Sequence, residues 1–223
     1  MPLIDQRLKF ESLNEAVAQL SPVHSYPTDV EVYRQGSYAT DVYFIESGTV
    51  KILRTNHEGQ QVIVSLPSAG RFIGAPSVIL QKPFSVNAVT LTRCDLRRID
   101  GKSFTDLLRS DAELCWQFQK LLCHELYEQV DHTAELGSLS ARNRLELLLW
   151  NSIHSNEISP PRSNVRVHLP LKNKELADLI AVTPEHLSRM LRRMQDEGVL
   201  KVEKGWLIVS DILRLWHPPT AVG

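Results

Sequence analysis

Residues 173–192 read NKELADLIAVTPEHLSRMLR, and this stretch decides the fold of the second half of the chain. It opens with a short helix whose apolar face is formed by Leu176, Ala177 and Ile180. A tight turn follows, in which Ala181 stands where glycine is common. Thr183 is a good helix N-cap, and Pro184 suits the first helical position, where its missing N–H costs nothing. Two short helices joined in this way have the geometry of a DNA-binding helix-turn-helix.

The second helix of this pair divides into an inner and an outer face. The predicted inner residues are Leu187, Met190, Leu191 and Met194, and Gly198 ends the helix. Base-reading candidates on the outer face are Glu185, Ser188 and Arg189, because a recognition helix reads base edges with its N-terminal part. Arg189 can donate two hydrogen bonds to guanine, and Glu185 can accept one from the amino group of cytosine.

Other polar residues around this motif are candidates for contacts with the DNA backbone: Lys174, Thr183, His186, Arg192, Lys201 and Lys204. The alternative is an ordinary two-helix hairpin with a Glu185–Arg189 surface pair. Residues 199–209 favour the DNA-binding interpretation, because they read as two strands around a tight turn and would form a wing. A scaffold that has lost DNA binding is disfavoured because Glu185 and Arg189 are both present.

The first half of the chain has a different pattern. Residues 1–20 predict a helix with Leu8, Leu13, Val17 and Leu20 on one face. From Ser21 to Gly101, short β-branched and aromatic runs recur about every ten residues between glycines, which is typical of a compact β-barrel or sandwich. The predicted strands are 30–33, 42–45, 50–53, 62–66, 86–91 and 94–99.

A long helix without glycine or proline is predicted over residues 111–136. Its stripe at spacings of three and four comprises Cys115, Phe118, Leu122, Leu126, Gln129, Thr133 and Leu136. At 1.5 Å per residue the helix spans ~39 Å, long enough to pair with a second copy of itself. The alternative is that it packs only against its own domain. Gly137–Ser138 is a predicted hinge, 141–154 a helix and 155–164 a loop. The predicted domains are therefore 1–137 and 138–223.

Composition excludes several classes of protein. The 223 residues are 43% hydrophobic and 23% charged, which is ordinary for a globular protein. No apolar run reaches the ~18 residues of a membrane span, and no signal peptide is read, so we expect a cytoplasmic protein without a membrane partner. The net charge of −1 argues against nucleic-acid binding, but the halves differ. Residues 1–137 carry 13 Lys/Arg against 17 Asp/Glu, and residues 138–223 carry 12 against 9, which favours a polyanion partner at the back.

Catalytic and metal motifs are missing from the sequence. There is no Walker A run, no G-x-S-x-G and no HExxH, so we do not predict an enzyme. Three cysteines without a CxxC pair disfavour a disulfide scaffold or a zinc site. His124, Glu128 and His132 share a helix face, but a solvated face explains them better than a metal site. A disulfide between Cys115 or Cys123 of two chains is an alternative to buried, unreactive thiols.

The order of elements resembles the family of bacterial transcription regulators typified by the cyclic-AMP receptor protein and the fumarate-nitrate reductase regulator (CRP/FNR). The resemblance covers nearly the whole chain and rests on residues 33–36, 42–51, 70–74 and 176–198. Glu185-x-x-Ser188-Arg189 is similar to the fumarate-nitrate branch, whose members typically read TTGAT-like half-sites in an inverted repeat. The resemblance implies an α+β fold with a cyclic-nucleotide-binding-type β-roll, a long dimerisation helix and a winged helix-turn-helix. It also implies a homodimer with recognition helices ~34 Å apart and contact with RNA polymerase.

Departures from the family concern the effector. The candidate effector pocket comprises Gly74, Ala75, Phe84 and Ser85. Members that bind cyclic AMP place a Glu after the Phe-Ile-Gly segment and an Arg-Ser pair about ten residues later, whereas this chain has Ala75-Pro76 and Phe84-Ser85. A buried phosphate would lack its cation, so we do not expect cyclic AMP.

The sequence also gives little support for an iron–sulfur cluster or a haem. No cysteine precedes Cys94, which argues against an iron–sulfur cluster. Some relatives bind haem, but nothing pairs the available ligands convincingly: Cys94, Cys115, Cys123, His24, His57, His124 and His132. Three interpretations of the β-roll stay open. In the first, the β-roll responds to an unknown small molecule. In the second, it has no effector and the abundance of the protein controls its activity. In the third, the protein is a non-catalytic dimer that binds a small molecule.

Overall fold

The computed structural model describes residues 11–156, 161–203 and 205–215. The chain divides into two compact units, of which one covers Phe10–Leu122 and the other includes Cys123–Gly223. This division falls inside the long helix, whereas the predicted boundary at 137/138 lies at the end of that helix. Among the described residues, no helix is long and apolar enough to cross a membrane.

The first unit is a β-roll flanked by helices, as predicted. Its elements in chain order are α1 (Glu11–Leu20), β1 (Val23–Tyr26), β2 (Glu31–Tyr33), β3 (Asp41–Ser47), β4 (Val50–Thr55), β5 (Gln61–Ser65), β6 (Phe72–Ile73), α2 (Ala75–Ile79), β7 (Asn87–Thr90), β8 (Cys94–Asp100), α3 (Gly101–Ser110) and the start of α4 (Ala112–Ser138). Two four-stranded antiparallel sheets have the orders β1-β8-β3-β6 and β2-β7-β4-β5. The predicted strands are all present, with ends that differ by one or two residues.

Alternation along β3 separates two cores. Val42 and Phe44 point to the helices, while Tyr43 and Ile45 point into the roll. Each side contains an aromatic cluster. The helix-side cluster is Phe44, Phe72, Phe104 and Phe118, and the inner cluster is Tyr33, Tyr43 and Phe84. Strand β6 contributes Phe72 to the first side and Ile73 to the second, so it lies between the two cores.

Three elements of the roll were not predicted. Strand β1 is mostly exposed, β6 has only two residues, and α2 has only five and begins beside Pro76. None of them offers enough periodic positions for a hydrophobic pattern to be recognised.

Helix α1 is fixed to the roll by polar contacts as well as by its apolar side. Leu13 and Val17 are fully buried as predicted, Leu20 is partly exposed, and Leu8 lies outside the described residues. The Arg97 guanidinium donates to the carbonyl oxygens of Ala18 (3.2 Å) and Ser21 (2.5 Å) and forms an ion pair with Glu46. The carbonyl groups at the end of α1 thereby gain a cationic partner, which favours this end of a helix.

Helix α4 has 27 residues and uses different faces along its length. Phe118 is only 2% exposed and belongs to the helix-side cluster, and Leu122 packs partly against the same core. Placing Phe118 on the face toward a second chain was therefore wrong, because its own unit covers it. The predicted hinge also needs correction, since Gly137 and Ser138 are helical and the interruption falls at Leu139–Ser140.

The second unit is a winged helix. After α4, its elements are α5 (Ala141–Asn156), β9 (Ser163–Val167), α6 (Asn173–Leu179), α7 (Pro184–Asp196), β10 (Leu200–Glu203) and β11 (Trp206–Asp211), followed by a 3₁₀ turn, Ile212–Arg214. The sheet has the order β10-β11-β9. Its core includes Leu145, Leu149, Leu187, Met194 and Leu200. The predicted loop 155–164 was wrong at both ends, because α5 extends to Asn156 and β9 begins at Ser163.

Candidate nucleic-acid interface

The turn between α6 and α7 has the predicted geometry. The Thr183 hydroxyl accepts a hydrogen bond from the His186 N–H at 3.2 Å, which confirms Thr183 as the N-cap. The Val182 N–H donates to the Ala177 carbonyl at 2.9 Å, so the chain turns back tightly after α6. Ala181 has a φ of 52°, the left-handed conformation that glycine adopts without strain. The turn is therefore tight enough to hold α7 against α6 despite the alanine.

Two arginines of α5 support this turn and were not predicted. The Arg144 guanidinium donates to the carbonyl oxygens of Ile180 (2.9 Å) and Leu139 (2.6 Å). Arg142 bridges Glu146 on its own helix and Glu197 just beyond α7, at 2.8 and 2.5 Å. The Arg144 contact holds the end of α6 to α5, and the Arg142 contact holds the end of α7 to α5. No local pattern signals them, because the partners lie 36 and 55 positions further along the chain.

Helix α7 has the two faces that the sequence predicts. Leu187, Met190 and Met194 are buried, and Leu191 is partly buried against the same core. The exposed side chains are Glu185, His186, Ser188, Arg189, Arg192, Arg193, Gln195 and Asp196. Within the described part of the chain, the guanidinium groups of these three arginines form no ion pair. The Glu185–Arg189 surface pair is therefore not made, and both groups face solvent.

The three base-reading candidates lie together at the start of α7. The backbone N–H of Glu185 and the Thr183 hydroxyl, together with the charge of Arg189, hold the pKa of the Glu185 carboxyl below its usual value. Glu185 is thus an anionic acceptor at neutral pH, as a contact with a cytosine amino group requires. The Ser188 hydroxyl donates to the Pro184 carbonyl at 2.9 Å and keeps its lone pairs available as acceptors.

The wing sheet carries a further exposed basic residue. Lys201 of β10, Ile208 of β11 and Arg166 of β9 stand in one row across the sheet, and both cations are exposed. Arg166 was not among the predicted contacts, because no strand was predicted over Ser163–Val167. Trp206 lies near the turn, with its ring centroid 4.9 Å from that of His168. Lys174 is exposed at the start of α6, and Lys204 lies outside the described residues.

The candidate effector residues lie in the first unit and have a different environment. Gly74, Ala75 and Phe84 are buried, and Ser85 is exposed. Phe84 stacks on Tyr33 with ring centroids 4.0 Å apart. Tyr33 was part of the family motif in the sequence but was not named as a pocket residue. Cys94 is buried, Cys115 partly buried and Cys123 exposed, and all three are free thiols. Within the described ranges, no three His, Cys, Asp or Glu side chains are grouped so as to hold a metal ion.

Comparison with known proteins identifies both units. Residues 23–111 match the family described as cyclic nucleotide-binding domain, and residues 143–217 match the Crp-like helix-turn-helix domain. The chain belongs to the CRP/FNR family. It is a DNA-binding transcription regulator and not an enzyme.

Curated relatives and solved structures agree with this assignment. The cyclic AMP receptor protein of Thermus thermophilus is 25% identical over 186 residues, which cover 83% of this chain and 82% of that protein. The cAMP-activated global transcriptional regulator CRP of Salmonella typhimurium is 20% identical over 84% of this chain and 89% of its own length. The structure of the c-di-GMP-responsive global regulator CLP of Xanthomonas campestris has a TM-score of 0.76 and 22% identity, with 89% of this chain and 98% of that chain covered.

Proposed function

We propose that this CRP/FNR-family regulator is a homodimer that reads an inverted repeat of TTGAT-like half-sites. The observation that carries the proposal is the N-terminal turn of α7, where Glu185, Ser188 and Arg189 are exposed on a capped helix. Arg189 would grip a guanine through two hydrogen bonds, and Glu185 would accept from a cytosine amino group. Neither side chain is held by an ion pair within the described residues, so no ion pair has to be broken before DNA binds.

Backbone contacts would fix the register of α7 in the major groove. Exposed groups on both sides of the helix suit this role: Lys174, His186, Arg192, Lys201 and, from the wing sheet, Arg166. The Thr183 hydroxyl already caps α7, so its contribution would be to orient the first N–H groups toward a phosphate. Lys204 remains a prediction for this role.

An exposed stripe on α4 supports the homodimer. Its members recur at spacings of four and three, and all are exposed: Gln119, Cys123, Leu126, Val130, Thr133 and Gly137. Leu126 and Val130, about one turn apart, are 64% and 58% exposed, so they leave an apolar patch uncovered, as at a protein interaction site. This 3-4 spacing is that of a coiled-coil seam. The seam shares Leu126 and Thr133 with the predicted stripe, whereas Gln129 lies to one side of it.

The two-fold symmetry of such a dimer would match the symmetry of an inverted repeat. We propose that the bound dimer acts in the cytoplasm and controls transcription by touching RNA polymerase.

The β-roll would not take cyclic AMP as its ligand. Gly74, Ala75, Phe84 and Ser85 bring no cation to the candidate pocket, and Phe84 is buried in the inner cluster. A cyclic phosphate placed there would lose its water without gaining a charged partner. We likewise propose no iron–sulfur cluster and no haem. The three thiols differ in burial, since Cys94 is buried, Cys115 is partly buried and Cys123 is exposed.

A fluorescence-anisotropy titration at fixed, near-physiological salt tests the proposal. The purified full-length protein, with no ligand added, is mixed with a labelled TTGAT-N4-ATCAA duplex and with a scrambled duplex. We expect selective binding to the first, since phosphate contacts alone would favour neither. Equal weak binding to both would contradict the proposed half-site, and failure to select any duplex from a random pool would contradict DNA reading itself.

The dimer is tested by the same titration on a seam variant. Leu126→Glu places a charge on each side of the proposed seam, so we expect monomers by light scattering and weaker binding to the inverted repeat. Leu213→Glu changes a leucine outside α4 that is 56% exposed, against 64% for Leu126, and serves as the matched control. A Leu126→Glu variant that stays dimeric would contradict the seam.

A further inference from the structure

The candidate effector site in the β-roll is filled by the chain's own side chains. Tyr33, on β2, is 8% exposed, and its ring stacks against Phe84 with an interplanar angle of 14°. The ring of Tyr43 lies nearby, with its centroid 5.9 Å from that of Tyr33. Burial raises the pKa of the Tyr33 phenol, and the backbone N–H of Gly74 faces its oxygen. The phenol thus lies against two of the residues, Gly74 and Phe84, that sequence analysis assigns to an effector.

The backbone holds this arrangement from both sides. Phe84 accepts from the Gly36 N–H (2.7 Å) and donates to the Ser37 carbonyl (3.0 Å), which ties the segment carrying Phe84 to the loop after β2. Gly74 has a φ of 83°, and a Cβ there would lie 2.9 Å from the Phe84 ring and 3.5 Å from the Tyr33 ring. The glycine is required both by its left-handed backbone and by the closeness of the two rings. Tyr33 is therefore seated in a site fitted to it.

Strand β6 joins this site to the long helix. Ile73 belongs to the core of the inner cluster, and the preceding residue, Phe72, belongs to the helix-side cluster. The Phe72 ring lies edge-on to that of Phe118 on α4 at 5.6 Å, and tilted to that of Phe104 on α3 at 5.5 Å. A displacement of Gly74 would therefore move Phe72 against the first turns of α4, because packed aromatic rings leave little free space.

We propose that Tyr33 is a built-in occupant of the effector site, and that its ring holds β6 and the start of α4 in the state that binds DNA without a small molecule. This inference rests on the proposed function, because DNA binding is its output. It assigns the β-roll a regulatory role that depends on an intramolecular ligand. Loss of the ring, rather than gain of an effector, is what would switch the protein off.

Chemical rescue separates this role from simple packing. Tyr33→Ala removes the phenol, and p-cresol, which is the tyrosine side chain as a free molecule, is the probe. We expect the melting temperature of Tyr33→Ala to fall below that of the wild type and to rise when p-cresol is titrated in, since buried apolar cavities accept matching aromatic molecules. The wild type and Tyr33→Phe, which keeps the ring, should respond little. Tyr38→Ala, at a fully accessible tyrosine five positions further on, is the matched control.

DNA affinity is the decisive readout. At a temperature well below melting, we expect Tyr33→Ala to bind the TTGAT-N4-ATCAA duplex about tenfold more weakly than the wild type, and p-cresol to restore binding. If p-cresol raises the melting temperature but leaves DNA affinity unchanged, Tyr33 is only a core residue and the regulatory role is refuted. Affinity equal to the wild type in a folded Tyr33→Ala refutes it as well.

Two further outcomes are distinguishable. If Tyr33→Ala does not fold, Tyr33→Leu fills much of the volume without the stack, and wild-type affinity in that variant refutes the role. If the wild-type chain binds no duplex, the proposed function has failed and so has the regulatory part of this inference. Rescue of the melting temperature by p-cresol would then still support Tyr33 as the occupant of the site, and no rescue would refute that too.

Discussion

The candidate effector residues of the β-roll and the base-reading residues of α7 differ in what the fold does with them. Both groups were assigned to a ligand from the sequence. In the roll, Phe84, Gly74 and Ala75 are buried; Phe84 packs in the core of the inner cluster and Ala75 in the core of the helix-side cluster. On α7, Glu185, Ser188 and Arg189 are all exposed, while the buried side of the helix consists of apolar residues alone. The residues assigned to DNA are accessible, whereas most of those assigned to an effector contribute to the cores of the roll.

The largest expected effect is a loss of stability on substitution of Phe84, and it tests whether the roll packs these residues tightly. Phe84→Ala should lower the free energy of unfolding by about 3–5 kcal/mol, because it removes a buried ring and leaves a cavity beside Tyr33. Urea unfolding followed by circular dichroism measures the loss. The neighbouring Ser85→Ala, at an exposed position, should stay within about 0.5 kcal/mol of the wild type. Similar small losses in both variants would show that the inner cluster is loosely packed and open to a ligand.

An intermediate effect on binding rather than on stability is expected at Arg189. If its guanidinium reads a base as proposed, Arg189→Ala should cost about 1–3 kcal/mol on the TTGAT-N4-ATCAA duplex and little on the scrambled one. Its unfolding curve should match that of the wild type. Arg193→Ala, an exposed arginine in the last turn of the same helix, should reduce binding to both duplexes to a similar, smaller extent. Equal loss on both duplexes in Arg189→Ala would make Arg189 a phosphate contact.

The smallest effect should come from the turn that positions α7. Ala181 has a φ of 52°, so Ala181→Gly should relieve strain and raise the free energy of unfolding by up to about 1 kcal/mol. Ala134→Gly, at an exposed site inside α4, should have the opposite sign and lower the stability by about 1 kcal/mol. Thermal melting of the two variants and the wild type shows whether the two changes in stability have opposite signs. A destabilised Ala181→Gly would show that the turn is not held in the left-handed conformation.

The sequence predicted long or strongly periodic elements well. The faces of α7 follow from the spacing of Leu187, Met190 and Met194 together with Thr183 and Pro184, so both the helix and its cap could be predicted. The two-residue strand β6 and the short, mostly exposed strand β9 could not, because neither has a buried period of its own. Arg144 and Tyr33 were missed for another reason. Their roles depend on partners far away in the chain, which only the fold brings together.

The apolar stripe of α4 shows a different limit. Periodicity predicted one face from Phe118 to Leu126, but the structure buries the first residue in the roll and exposes the second. Eight positions correspond to about 2.2 turns of helix, so the two side chains are separated by a substantial rotation. A regular spacing indicates that a face is apolar, and it does not identify the surface that covers it.

The contacts of α1 have a consequence for how the protein is made. The Leu13 N–H donates to the Gln117 side chain, 104 positions further along the chain. At the other end of the helix, the Arg97 guanidinium donates to the Ser21 carbonyl. At about 5–20 residues per second, the ribosome needs roughly 5–20 s to reach Gln117 after it has made Leu13. During that time Leu13 and Val17 lack the part of their core that α4 supplies, Leu114 and Phe118, and the apolar face of α1 is incompletely covered. The first described helix is thus among the last to reach its native contacts.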